Sequence, residues 1–159
     1  MNVDVKTASD LAFRPEQFFL GKTAGGGLVR DPFGKVVRRY AVTTRGTRDD
    51  AYGAIQVDHT FVFDNGEIDV MTWLISEAGE GRYAVAAPQA GSGIVAQIVD
   101  GDFAFAINRR FKSRFGPLKA RFFIRLTLVE PETALGNTRV HVLGAPFSVM
   151  TAVHRRSGA

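Results

Sequence analysis

The chain has no cysteine. That absence excludes disulfides, a thiolate nucleophile, a cysteine-ligated zinc site and attachment of a lipid through a cysteine in the sequence as written. It leaves the compartment open, because a reduced cytoplasm and a disulfide-free periplasm make the same demand on such a chain. No stretch approaches the roughly 20 apolar residues of a membrane-spanning helix, and the opening Met1-Asn2-Val3-Asp4-Val5-Lys6 has no apolar run of signal-peptide length. As written, the protein is expected in the cytoplasm. The three histidines, His59, His141 and His154, are scattered and lack an HExxH-like spacing or an acidic cage, so neither a metal nor a cofactor is expected. Helical periodicity is also nearly missing. What stands out instead is phenylalanine, with 13 residues against three tyrosines and one tryptophan. Phenylalanine supplies apolar area with no polar atom to satisfy, which suits a large core or a greasy cavity.

A length of 159 residues fits one domain that buries roughly two-thirds of its unfolded surface, with residues 1–14 read as an N-terminal arm. The net charge of +4, from 20 Lys and Arg against 16 Asp and Glu, is too mild to argue for nucleic acid. It is compatible with an anionic membrane surface. The run Arg109, Arg110, Lys112 and Arg114, interleaved with Phe111 and Phe115, has the same basic and aromatic character.

After residue 20 almost every segment carries strand signals: β-branched and aromatic residues in short runs, separated by Gly, Asn or Asp. The spacing predicts strands over 21–30, 36–47, 54–63, 67–76, 82–87, 93–99, 102–111, 119–129, 138–143 and 147–154. A short helical turn after Pro15 is expected to bring Phe18 and Phe19 against one end. Gly25-Gly26-Gly27 is expected to bulge or bend the first strand. Asp31-Pro32-Phe33-Gly34 and Asp100-Gly101 read as turns. Phe63-Asp64-Asn65-Gly66-Glu67 is the sharpest local signal, because Asn-Gly favours the left-handed conformations of a tight hairpin. Eight to ten sequentially connected strands favour an all-β, up-and-down antiparallel barrel, since closure removes the exposed edges of an open sheet.

Several segments, in order, resemble a known family: Gln17-Phe18-Phe19-Leu20-Gly21-Lys22-Thr23, Gly34-Lys35-Val36-Val37-Arg38-Arg39-Tyr40, Arg45-Gly46-Thr47, Phe61-Val62-Phe63-Asp64-Asn65-Gly66-Glu67, then Thr72-Trp73 and Gly81-Arg82-Tyr83. They are similar to a domain of unknown function, the 3833 family of uncharacterised bacterial proteins, many of them lipoproteins. The resemblance implies a lipocalin-like (calycin) barrel that handles a lipid or other apolar ligand near the cell envelope, hence a periplasmic or membrane-associated place by analogy. It covers residues 15 to 110 and thins beyond. Relatives carry an acidic pair followed by an aromatic in the eighth-strand region, where this chain has Phe122-Phe123-Ile124-Arg125-Leu126.

Alternation nominates the site residues. On the third strand Ile55, Val57, His59, Phe61 and Phe63 share the apolar face, which turns His59 inward. On the fourth, Met71, Trp73 and Ile75 share a face with Glu67 and Asp69, and parity leaves open which face is inside. With Trp73 inside, His59, Glu67 and Asp69 come to one barrel mouth as an acid–base cluster of the kind an isomerase or cyclase needs. On the second strand Arg38 beside Tyr40 makes a carboxylate clamp for a fatty-acid head group. Phe61, Trp73, Phe103 and Phe105 are expected as cavity wall. The leading expectation is binding or transfer of a small apolar ligand, a fatty acid or lipid, without catalysis. The enzyme on the same cavity is the second, and a structural envelope-associated module with a filled core is the third.

Overall fold

A computed structural model describes residues 11–51, 53–88, 90–113 and 116–157, except for the side chain of Ser113. The readings that involve residues 1–10, Tyr52, Arg114 and Phe115 lie outside the described residues. A four-residue helix α1 (Pro15–Phe18) precedes ten strands: β1 (Gly21–Arg30), β2 (Val36–Asp49), β3 (Ala54–Phe63), β4 (Ile68–Gly79), β5 (Arg82–Ala87), β6 (Gly91–Val99), β7 (Asp102–Ser113), β8 (Gly116–Glu130), β9 (Thr133–Val142) and β10 (Ala145–Arg156). Each pairs antiparallel with the next, and β1 pairs with β10 to close the barrel. No helix among the described residues is long and apolar enough to cross a membrane.

Several strands outrun the lengths expected from composition. The ninth begins at Thr133 rather than at residue 138, because Ala134, Leu135 and Gly136, weak strand formers alone, are held by both β8 and β10. The hairpin at Asn65-Gly66 forms, with a different turn from the one expected. Only Gly66 is left-handed, at φ 86°. Phe63 accepts from the Gly66 amide at 2.9 Å and donates to Glu67 O at 2.9 Å, while Asn65 Oδ1 accepts the Glu67 amide at 3.0 Å. This is a three-residue connection with one glycine in the left-handed position, which asks nothing unusual of Asn65.

The glycine triplet makes no bulge. Its register against both neighbours is continuous, and the shift in β1 falls later, between Val29 and Arg30. The missing side chain is used instead for close approach: a Cβ on Gly25 would overlap the carbonyl of Val153 on β10. The seam that closes the barrel therefore depends on this glycine.

One end of the barrel is stopped. Phe13, Phe18 and Phe19 are buried, and Phe13 hooks the arm to the β6–β7 turn through its amide to Gly101 O at 2.8 Å. Phe13 stacks on Phe103 at 5.8 Å and Phe19 meets Trp73 edge-on at 6.0 Å. A large cluster runs over the inward side chains of β3 to β9 and this plug, and a smaller one of Val29, Tyr40, Val42 and Ala152 lies on the β1, β2 and β10 side.

Candidate functional site

Between those two clusters the barrel encloses a cavity of about 1320 Å³. It runs from the turns at Asp31-Pro32 and Asn65-Glu67 and the start of β10 at Pro146-Phe147 down to Phe19, with walls from β1 to β4 and β7 to β10. Alternation decides what faces it. Met71, Trp73 and Ile75 are buried, so β4 presents the tryptophan face inward, and Asp69 follows on that face at the open end.

Two arginines hold the mouth. Arg109 on β7 gives Nη1 and Nη2 to the two carboxylate oxygens of Asp69, both at 3.1 Å. Its side chain is only 10% exposed and its Nε is buried with no partner among the described residues. The guanidinium lies 5.8 Å from the Phe122 ring centroid. Arg38 bonds Glu67 at 2.8 Å and lies 4.5 Å over the Phe63 ring. The Arg38 guanidinium holds the Glu67 carboxyl below the usual carboxylate range. Deeper in, Tyr40 lies across the wall with Phe61 at 5.7 Å and Phe63 at 5.5 Å. Burial pushes its hydroxyl up to about 12, so it is a neutral phenol at any ordinary pH.

The floor holds His59 and His154, both buried and both lining the cavity. His59 is caged by aromatics, with ring centroids 4.0 Å from Trp73, 5.9 Å from Phe19 and 6.1 Å from Phe61. Burial, and then the charge of His154, bring His59 down to about 3. Burial brings His154 down to about 4. Both imidazoles are therefore neutral near pH 7.

The expected sites are only partly assembled. Arg38, Tyr40, His59, Phe61 and Trp73 do line one cavity. Phe103 and Phe105 do not: they pack into the stopped half against Phe13, Tyr83 and Trp73, because the plug, invisible to strand alternation, occupies their end of the barrel. The acid–base cluster is not formed. Asp69 turns to Arg109 and Glu67 to Arg38, while His59 packs among Phe19, Phe61 and Trp73. The sequence shows Arg109 in a basic run and His154 as a scattered histidine, and the alternations Phe105-Ile107-Arg109-Phe111 and Met150-Ala152-His154 are the signal that turns both to the inner face. Among the described residues no group of three His, Asp or Glu is placed to hold a metal.

A closed ten-stranded barrel with one stopped end and one open cavity is a lipocalin-like β-barrel. The chain belongs to the family described as Protein of unknown function (DUF3833), whose model matches residues 1–144. No curated protein matches it. Among solved structures it is similar to a protein of unknown function from the DUF3598 family of Nostoc punctiforme, at TM-score 0.69 and 16% identity. That alignment covers 97% of this chain and 53% of the other, so the chain spans about half the length of the Nostoc protein. It is also similar to the S-type phycobiliprotein lyase of Guillardia theta, at TM-score 0.64 and 12% identity, over 92% of this chain and 94% of that one. At such identities the likeness concerns the fold.

Proposed function

We propose that the barrel binds one small, mostly apolar molecule with an acidic head group, a fatty acid or related lipid, and holds it for transfer. The observation that carries this reading is the cavity of about 1320 Å³, lined mainly by apolar side chains, with Arg38, Arg109 and Arg110 beside Asp31, Glu67 and Asp69 at its open end. A filled core would leave no such space, because protein interiors pack nearly as densely as organic crystals. Arg109 supports the acidic head group: with Nη1 and Nη2 on Asp69, its buried Nε still lacks a partner, and a charge-assisted bond there is the strong kind.

The rim supports loading from an anionic bilayer. At the open end Phe33 and Leu143 stand on turns at 95% and 99% exposure, and Lys35, Arg39, Arg110 and Lys112 are exposed around them. Apolar tips with basic neighbours suit the headgroup region of such a membrane.

The test is native mass spectrometry of protein purified gently from its host, followed by titration of the delipidated protein with palmitic acid. Trp73 fluorescence reports the titration, since it is the single tryptophan and lines the cavity. One bound lipid and a saturable response at one equivalent are expected. A clean apo mass together with a flat titration overturns the reading.

A further inference from the structure

The cavity floor carries polarity that an acidic head group at the mouth leaves unused. His59 Nε2 and His154 Nδ1 are both buried and, among the described residues, neither has a hydrogen-bond partner. A buried polar atom without a partner carries the full penalty of losing its water, and most such atoms in folded proteins are satisfied. Two of them on two residues of one cavity floor is a pattern that asks for a ligand group.

The strands explain how the two rings share that floor. His154 on β10 lies opposite Gly25 on β1, Gly25 lies opposite Val42 on β2, and His59 sits on β3 one inward position below the partner of Val42, Phe61. Gly25 projects no side chain between them. On the other flank of β10, a Cβ on Gly136 would come to 3.1 Å from His154 Nε2, so the glycine there gives the ring its room. Thr23 and Thr44, inward beside His59, share one hydrogen bond at 2.6 Å.

Resting on the reading of an apolar cargo, we propose that this floor is a second polar subsite, one that takes an uncharged hydroxyl at the buried end of the ligand. A hydroxyl donates and accepts, so it can serve an imidazole nitrogen in either protonation state. A carboxylate is excluded, because the arginines stand at the mouth and burying an unpaired charge is far more costly than burying a neutral group. The depressed basicity of both histidines agrees with a site that stays neutral. The preferred cargo is then polar at both ends: an acid at Arg109 and a hydroxyl between His59 and His154.

The experiment compares palmitic acid with its ω-hydroxy derivative on the delipidated protein, read by Trp73 fluorescence, whose ring lies 4.0 Å from His59. The hydroxylated chain is expected to bind roughly tenfold more tightly, the equivalent of one net hydrogen bond. His59→Leu and His154→Leu are expected to erase that preference, so that each variant binds the two acids with equal affinity. Both variants put an apolar side chain where an unsatisfied nitrogen was, so they are expected to fold, and the comparison on unaltered protein does not depend on them. Equal affinities for the two acids overturn the subsite and leave the apolar-cargo reading standing. Failure of both acids to bind overturns the two together.

Discussion

The buried histidines make acid the perturbation that tests the interior most directly. In the folded chain His154 takes a proton only at about 4 and His59 only at about 3. In the unfolded chain each takes it near 6.5. The folded state therefore binds fewer protons below pH 6.5, and stability that is complete above that pH is lost as pH falls toward 4. Each unit removes about 1.4 kcal/mol per histidine. Between pH 6.5 and about 4.5 the pair removes about 5 kcal/mol, comparable with the whole stability of a small domain. The assay is denaturant unfolding of delipidated protein at pH 7 and at about 4.5, for the native chain and for His59→Leu/His154→Leu. Carboxylates titrate alike in both, so the difference isolates the histidines. The variant is expected to retain about 5 kcal/mol more of its neutral-pH stability in acid. Equal losses in the two proteins would refute the reasoning, because neutral, desolvated imidazoles cannot titrate without moving the folding equilibrium.

Arg109→Met is expected to weaken palmitic acid binding by roughly 10- to 100-fold, the worth of a charge-assisted hydrogen bond. Cetyl alcohol, which has no anionic head, should bind the variant as it binds the native chain in the same fluorescence titration. Ala152→Phe puts a ring into the cavity that Ala152 lines; ligand binding should vanish while the melting temperature holds or rises. Gly25→Ala forces a methyl into the Val153 carbonyl, and a loss of about 3 kcal/mol should lower the melting temperature by roughly 10 °C in calorimetry. Phe33→Asp/Leu143→Asp should abolish co-sedimentation with phosphatidylglycerol vesicles and leave binding of detergent-dispersed palmitic acid intact. Unchanged sedimentation would remove the rim from the loading route.

Period-two alternation made β3 legible residue by residue, since a strand half in contact with solvent separates its two faces by polarity. It failed on β4, where Ile68, Val70 and Leu74 oppose Met71, Trp73 and Ile75. The exposed face there is also apolar, with Ile68 and Val70 facing outward, and only the tertiary pairing His59 to Met71 settles the matter. The acid–base cluster misled for a related reason. Sequence puts Glu67, Asp69 and His59 on adjacent strands, and it cannot say that an arginine from β7 crosses the mouth to take Asp69. Partners 40 residues apart, as Arg109 and Asp69 are, leave no local trace.

The cavity itself was written in side-chain size more than in polarity. On β1 the inward positions carry Thr23, Gly25, Gly27 and Val29; on β9, Ala134, Gly136, Thr138 and Val140; on β10, Ser148, Met150, Ala152 and His154. Beside them, β7 and β8 send Phe111, Phe122, Ile124 and Leu126 into the cavity. A barrel of this strand number has room for side chains or for one small ligand, and the small wall leaves the large wall too little to fill it. Phe13, Phe18 and Phe19 then close the lower end, so the deficit of volume gathers at the open half, under Arg109 and Arg38. The void thus follows from which wall carries the glycines, and the phenylalanine content alone could not distinguish a filled core from a lined one.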